Sequence, residues 1–214
     1  MINLKERLNS VFNEIDKGSV VADIGCDHGK LSARLLQSGV ASKVIAVDIS
    51  KESLDKAVKL KEKLNLVNFE TRVGDGLSVI GENEVDTVVI AGMGGMEIIK
   101  ILSSAKFNYK KYVLVPHSNE KELREYLMDR FLIQKDYLIK EHSKYYNVIV
   151  AIEGKSHLTV EQLEFGNNMD NPLLVELLNK RLSEYNSYLV NAEDKSKLQS
   201  KIELIERVLK CVKQ

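Results

Sequence analysis

Residues 20–36 read VVADIGCDHGKLSARLL. An apolar run from Val20 to Ala22 stops at Asp23, and Gly25 and Gly29 then bracket a polar Cys-Asp-His turn. Leu31, Leu35 and Leu36 follow at helical spacing. A strand feeding a glycine turn and then a helix is an element that holds nucleotide-type ligands. The dinucleotide fingerprint is GxGxxG, however, and here the glycines stand as GxxxG with a carboxylate between them.

Outward from this stretch the same unit repeats. Leu4, Leu8, Val11, Phe12 and Ile15 predict an amphipathic opening helix, followed by strand 19–24, helix 29–38, strand 43–48 and helix 51–64. Strands 69–73 and 85–91, helix 95–104, strand 111–115 and helix 119–130 continue the pattern. Strands separated by 10–15-residue helices mean βαβ units and a parallel sheet. Segments 131–139 and 145–152 lack a helix between them and read as an antiparallel pair joined by Lys140–Ser143. The expected fold is α/β, and it resembles the Rossmann-like class I methyltransferase sheet, which carries one antiparallel strand near its edge.

Beyond Gly154 the strand pattern vanishes, which divides the chain into 1–154 and 155–214. Pro172 opens a helix whose stripe runs from Leu174 to Leu189, Asn191–Asp194 interrupt it, and Leu198 to Val212 form a second stripe. Two helices joined by a short polar turn make an antiparallel hairpin. It is expected either to be a structural appendage or to act as a substrate-binding arm, with the arm favoured.

Composition sets the outer limits. Hydrophobic residues at 44% and charged residues at 29% read as a globular chain, with no apolar stretch approaching the ~18–20 residues of a membrane span. Without a signal-peptide pattern, the expected location is the cytoplasm. Cys26 and Cys211 stand far apart with no CxxC, so neither a disulfide framework nor a metal site is expected. Basic and acidic residues balance at 31 each, nine of each beyond residue 154, so bulk charge argues mildly against a nucleic-acid partner and leaves local patches open.

In an open parallel sheet, ligands lie outside the carboxyl ends of the strands. After the first strand, Gly25 and Gly29 let backbone approach a ligand, and the following helix aims free N–H groups at an anion. Asp48 ends the second strand, placed to accept from both ribose hydroxyls, with Ile49 beside it. Asp75 and Gly76 follow the third, where a carboxylate can accept from an adenine amine. Ala91 and Gly92 end the fourth and lead into the glycine floor of Gly94 and Gly95. Asp27 separates the cofactor classes: it would repel a pyrophosphate and attract the ammonium and sulfonium of S-adenosylmethionine.

The strings DIGCDHGKL, AVDIS, RVGDGL, VVIAGMGGMEIIKIL, LVPHSNEKELREYL and KYYNVIVAIE, followed by a helical tail, are together similar to the TrmK family of bacterial tRNA methyltransferases. That family methylates N1 of adenine 22 of tRNA. The resemblance covers nearly the whole chain and implies a Rossmann-like catalytic domain with a C-terminal coiled-coil hairpin. Carried over residue by residue, it maps Asp23, Gly25, Asp27, His28 and Gly29 onto the first loop and Asp48 onto the ribose-binding acid. Asp75 and Gly76 fall on the adenine side, and Gly92, Gly94 and Gly95 on the active-site floor. Arg72 matches an arginine of the family. The chain departs from the family at Gly29-Lys30, where Ala-Tyr is usual, at Val115 and His117, where Gln and Asn are usual, and near Leu60, where an asparagine is usual.

The expected base pocket is Asp27, His28, Gly94 and Gly95, with phosphates met by Lys30, Arg34, Arg72, Lys110, Lys111, Lys180 and Arg181. Adenine N1 is a neutral lone pair, so transfer is a direct displacement whose chief requirement is alignment. Cys26 reads as a packing residue with a raised pKa, since Asp23 and Asp27 lie beside it. The implied cofactor is S-adenosylmethionine, the partner tRNA, the state a monomer. A small-molecule methyltransferase, a nicotinamide oxidoreductase and a non-catalytic cofactor-binding protein stand as alternatives.

Overall fold

The computed structural model describes residues 1–189 and 195–212. Seven strands form one sheet: β1 (Ser19–Ile24), β2 (Ala41–Asp48), β3 (Phe69–Val73), β4 (Thr87–Ala91), β5 (Lys111–Val115), β6 (Phe131–Glu141) and β7 (Lys144–Glu153). Their order is β3-β2-β1-β4-β5-β7-β6. The pairings from β3 through β5 are parallel, and β7 is antiparallel to both β5 and β6. The chain reverses direction across the sheet between β1 and β4, which puts the switch point at the carboxyl ends of those two strands.

The parallel strands are buried on both faces, which explains their unbroken apolar runs. Successive residues alternate between two cores: Ala22, Ile45, Val88 and Leu114 pack on one face, and Val21, Val44, Val89 and Val113 on the other. α1 (Glu6–Asn13) and α2 (Lys30–Gln37) contribute Val11, Leu31 and Leu35 to the second core. α4 (Gly95–Ser104) and α5 (Glu120–Met128) contribute Ile98, Ile101, Leu123 and Leu127 to the first. α3 (Lys51–Lys63), capped by the Ser50 hydroxyl, adds Leu54 and Ala57 to a third cluster.

Two local expectations change. The β4 strand begins at Thr87 rather than Val85, because the Asp86 carboxylate turns back to accept from the Val20 N–H at 3.0 Å. The β6–β7 hairpin is longer than its apolar residues indicate: Glu141 pairs with Lys144, leaving only His142 and Ser143 as the turn, with His142 at φ 55°.

In the tail, α6 (Val160–Phe165) is a short helix that periodicity does not reveal, although its capping box, Thr159 with Gln162, is written in the sequence. α7 (Pro172–Leu189) and α8 (Ser196–Val212) form the hairpin. Leu174 and Leu178 share a core with Ile205, Val208 and Leu209, while Lys201 lies over the Tyr185 ring, so the helices run antiparallel. The expected turn at Asn191–Asp194 lies outside the described residues.

The tail is tied to the sheet by buried polar groups. Arg124, fully buried on α5, donates to Asp136 at 2.6 Å and to the Leu163 carbonyl of α6 at 3.0 Å. Asn147 donates to the same Asp136 at 3.0 Å. On the edge strand, the Leu138 N–H donates to Asn168 Oδ1 at 2.5 Å and its carbonyl accepts from Asn171 at 2.8 Å. Side chains from the tail thus fill hydrogen-bonding positions that a further strand would otherwise seek.

Candidate functional site

The loop after β1 is shaped by three left-handed residues, Gly25, Asp27 and Gly29. A Cβ on Gly29 would lie 2.9 Å from Ala57 Cβ and 3.0 Å from Phe69 Cζ, so glycine is required for α2 to start against α3. Gly25 and Cys26 both donate to the Val47 carbonyl, which lays the loop across the end of β2. That contact brings two acids together. The Asp27 N–H donates to Asp48 Oδ2 at 3.1 Å, and the Ser50 N–H donates to Asp48 Oδ1 at 2.9 Å. Each Asp48 oxygen keeps a second lone pair for a ligand. His28 Nδ1 lies 2.5 Å from Asp27 Oδ2.

Asp23 sits beneath this loop, 5% exposed, accepting from the Ser32 hydroxyl at 2.6 Å. Burial raises its pKa to about 6; the Ser32 bond opposes the shift and Asp48 adds to it. Cys26 is buried, and desolvation followed by Asp23, Asp48 and Asp27 pushes its thiol far above the usual range. It is therefore a packing residue and no nucleophile.

Asp23, Gly25, Asp27, His28, Lys30 and Ala91 line one narrow cleft, walled on its other side by Arg7 and Leu8 of α1. Met93 narrows it further, its methyl lying over Gly25. An unbranched thioether turns aside easily. Beyond Asp48, Ile49 is 73% exposed and Asp75 is also exposed, so an apolar face and a carboxylate stand on the rim. Gly74 N–H donates to the Asp48 carbonyl at 3.1 Å, holding that rim to the second loop. Gly76, at φ 58°, packs directly against Ile101.

Next to the cleft is a larger cavity of about 600 Å³. Arg7, Gly92, His117, Ser143, Lys144, Tyr145, Tyr146, Leu177, Lys180 and Arg181 line it. Four of these are permanent cations and none is an acid, in a chain whose charges balance overall. Its floor is stitched together: Gly92 N–H donates to Val115 O, His117 N–H to Met93 O and Gly95 N–H to Ser118 O. Gly95 abuts the Asn119 backbone, where a Cβ would stand 2.3 Å from the carbonyl oxygen, so this packing requires glycine there; at Gly94 the nearest atom to such a Cβ is Ser118 Oγ at 3.1 Å.

Of the cations expected to meet phosphate, Lys180 and Arg181 line this cavity and Lys30 lines the cleft. Arg34 lies over the Phe12 ring at 5.1 Å. Three others are placed elsewhere, a correction to the phosphate reading. Lys110 and Lys111 stand at the amino end of β5, bound to Asp86 and Asp16, across the sheet from the site. Arg72 spends its donors on Glu70, Glu84 and the Val79 carbonyl, and this pairing pulls the Glu84 carboxyl down to about 2. Arg7, Lys144, Tyr145 and Tyr146, none of them singled out by the sequence, line the cavity instead. No motif marks these four; α1 and the β6–β7 hairpin meet only in the fold.

The strand order, the acid-lined glycine loop and the carboxylate at the end of β2 define a Rossmann-like class I methyltransferase. The family described as "Methyltransferase domain" matches residues 4–149. The chain is 35% identical over 158 residues to the tRNA (adenine(22)-N(1))-methyltransferase of Bacillus subtilis, covering 72% of this chain and 66% of that one. The structure of the B. subtilis M1A22 tRNA methyltransferase TrmK superposes with a TM-score of 0.83 at 27% identity, covering 100% of this chain and 98% of that one. M. capricolum TrmK, in complex with S-adenosyl-homocysteine, superposes with a TM-score of 0.89 at 27% identity, covering 98% and 99%. The chain belongs to the TrmK family.

Proposed function

We propose that this chain transfers a methyl group from S-adenosylmethionine to N1 of adenine 22 in tRNA, acting in the cytoplasm as a monomer without a metal. In this reading residues 1–154 hold the cofactor and react, and residues 155–214 help to seat the RNA. The observation that carries the reading is the group of Asp23, Asp27 and Asp48 at the glycine loop beside a cavity lined by four permanent cations and no acid, which suits a cationic small molecule beside a polyanion. No helix among the described residues is long and apolar enough to cross a membrane.

The acid cleft fits the cofactor's chemistry. Asp48 would take the ribose hydroxyls, Asp23 and Asp27 would face the ammonium and sulfonium, and Ile49 would lie against the adenine ring. S-adenosylmethionine supplies an electrophilic methyl group on sulfur when bound. The protein's own contribution is alignment, because adenine N1 already presents its lone pair and no side chain has to remove a proton. Holding the base at attack distance supplies about 7–11 kcal/mol of the barrier reduction. The target base has to leave its stack, at a cost of a few kcal/mol. Tyr145 and Tyr146 offer it aromatic faces, while Lys144, Lys180 and Arg181 offer its phosphates cations.

Incubation with methyl-labelled S-adenosylmethionine and two tRNA transcripts, one with adenine and one with guanine at position 22, tests this. The expected result is 1-methyladenosine at position 22 of the first and no label in the second. Label at another position, or none in either, would overturn it.

A further inference from the structure

Arg7 is the one residue that lines both cavities. It projects from the first turn of α1 to the end of β4, where a Cβ on Gly92 would lie 2.7 Å from its Nη1. Arg7 is half-buried, and its guanidinium makes no ion pair among the described residues. Glu141, the nearby acid, instead accepts from the Arg7 backbone N–H at 2.9 Å, where it serves the start of the helix. Tyr146 lies under the guanidinium at 5.7 Å and holds it in place.

A half-buried arginine with an unpaired guanidinium facing a site calls for an anion. The cleft it faces is rich in acids, and those acids suit every part of an S-adenosylmethionine-type ligand except one, the α-carboxylate of its methionyl group. Unless a cation meets that carboxylate, Asp23, Asp27 and Asp48 repel it. Lys30, the other permanent cation of the cleft, is solvent-exposed, where water screens it. The larger cavity has three further cations for phosphate, so it does not depend on Arg7.

We infer that Arg7 binds the α-carboxylate of the methionyl group through its planar fork, and so reads the amino-acid end of the cofactor. This rests on the cofactor reading above. Because the same guanidinium borders the RNA cavity, cofactor occupancy also removes a free positive charge from the RNA side.

The test is calorimetry on the full chain without RNA, using S-adenosyl-homocysteine and decarboxylated S-adenosylmethionine. Arg7→Met keeps the apolar stem and removes the fork; Arg7→Lys keeps the charge alone. The expected result is S-adenosyl-homocysteine binding weakened about 10- to 100-fold by Arg7→Met and less by Arg7→Lys, the range for a lost charge-assisted hydrogen bond. Binding of the decarboxylated ligand should be the same in all three proteins. An equal loss for both ligands would make Arg7 structural and overturn the assignment. Unchanged S-adenosyl-homocysteine binding with a raised KM for tRNA would assign Arg7 to phosphate and overturn it equally. Failure of the unaltered protein to bind S-adenosyl-homocysteine would overturn the cofactor reading itself, a result distinct from either.

Discussion

The two cavities differ in how they are built as much as in charge. The acid cleft comes mostly from one βα turn and the ends of neighbouring strands, and its carboxylates are fixed by local hydrogen bonds: the Asp27 and Ser50 backbone N–H groups on Asp48 and the Ser32 hydroxyl on Asp23. The cationic cavity is assembled from α1, the β4–α4 loop, the β6–β7 hairpin and α7, which are distant in sequence. Its cations are held by packing and ring contacts, such as Lys180 over Tyr145 at 5.9 Å. A small rigid cofactor rewards preorganised hydrogen bonds, whereas a polyanion is met by adjustable charges.

That contrast predicts separable damage. The largest effect should come from the buried pair that anchors the tail. Arg124→Met leaves Asp136 buried with only Asn147 as a partner, so stability should fall by about 3–5 kcal/mol in urea unfolding. Because Arg124 also holds the α6 carbonyl, α7 should lose its seat and tRNA binding should suffer more than cofactor binding. A loss below 1 kcal/mol would show that the tail docks by its apolar contacts alone. For the same reason, removing everything from Lys155 onward is a poor test of an arm. It would strip Leu163 from Arg124 and Asn168 and Asn171 from the edge strand as well.

The next effect belongs to the acid cleft and depends on pH. Asp23 takes up its proton near pH 6 when folded, against an ordinary 3.8. The folded state therefore binds more protons between these values, and stability falls as pH rises through them. Charging Asp23 costs the fold about 3 kcal/mol, all of it present above pH 6 and none below about pH 4. Asp23→Asn should thus be more stable than the unaltered protein at pH 8 and equal to it at pH 4, while binding S-adenosyl-homocysteine less well at pH 8. A stability difference independent of pH would remove burial of charge as the explanation.

Legibility in the sequence followed the same divide. Strands buried on both faces leave unbroken apolar runs, and Asp23, Asp27, Asp48 and Asp75 stand next to those runs, so the sheet and the acid cleft were readable. Arg7 looked like any polar residue of an amphipathic helix, and Tyr145 and Tyr146 like strand residues. Arg72, Lys110 and Lys111 are basic and near the right strands, yet what each faces is set by Glu84, Asp86 and Asp16, which periodicity does not disclose. Arg124 stood in an ordinary helical heptad, and only the fold shows it fully buried.

The central claim is that the two cavities take different ligands. It is tested most directly by measuring S-adenosyl-homocysteine and tRNA affinities side by side for Asp48→Ala and for the double variant Lys180→Glu, Arg181→Glu. Asp48→Ala should weaken S-adenosyl-homocysteine by about 1.5–3 kcal/mol and leave tRNA affinity within twofold. The double variant should bind S-adenosyl-homocysteine normally and lose tRNA affinity, with a salt slope shallower by about 1.4–1.8 for two phosphate contacts. Loss of both ligands in both variants, or loss of tRNA in neither, would contradict the account.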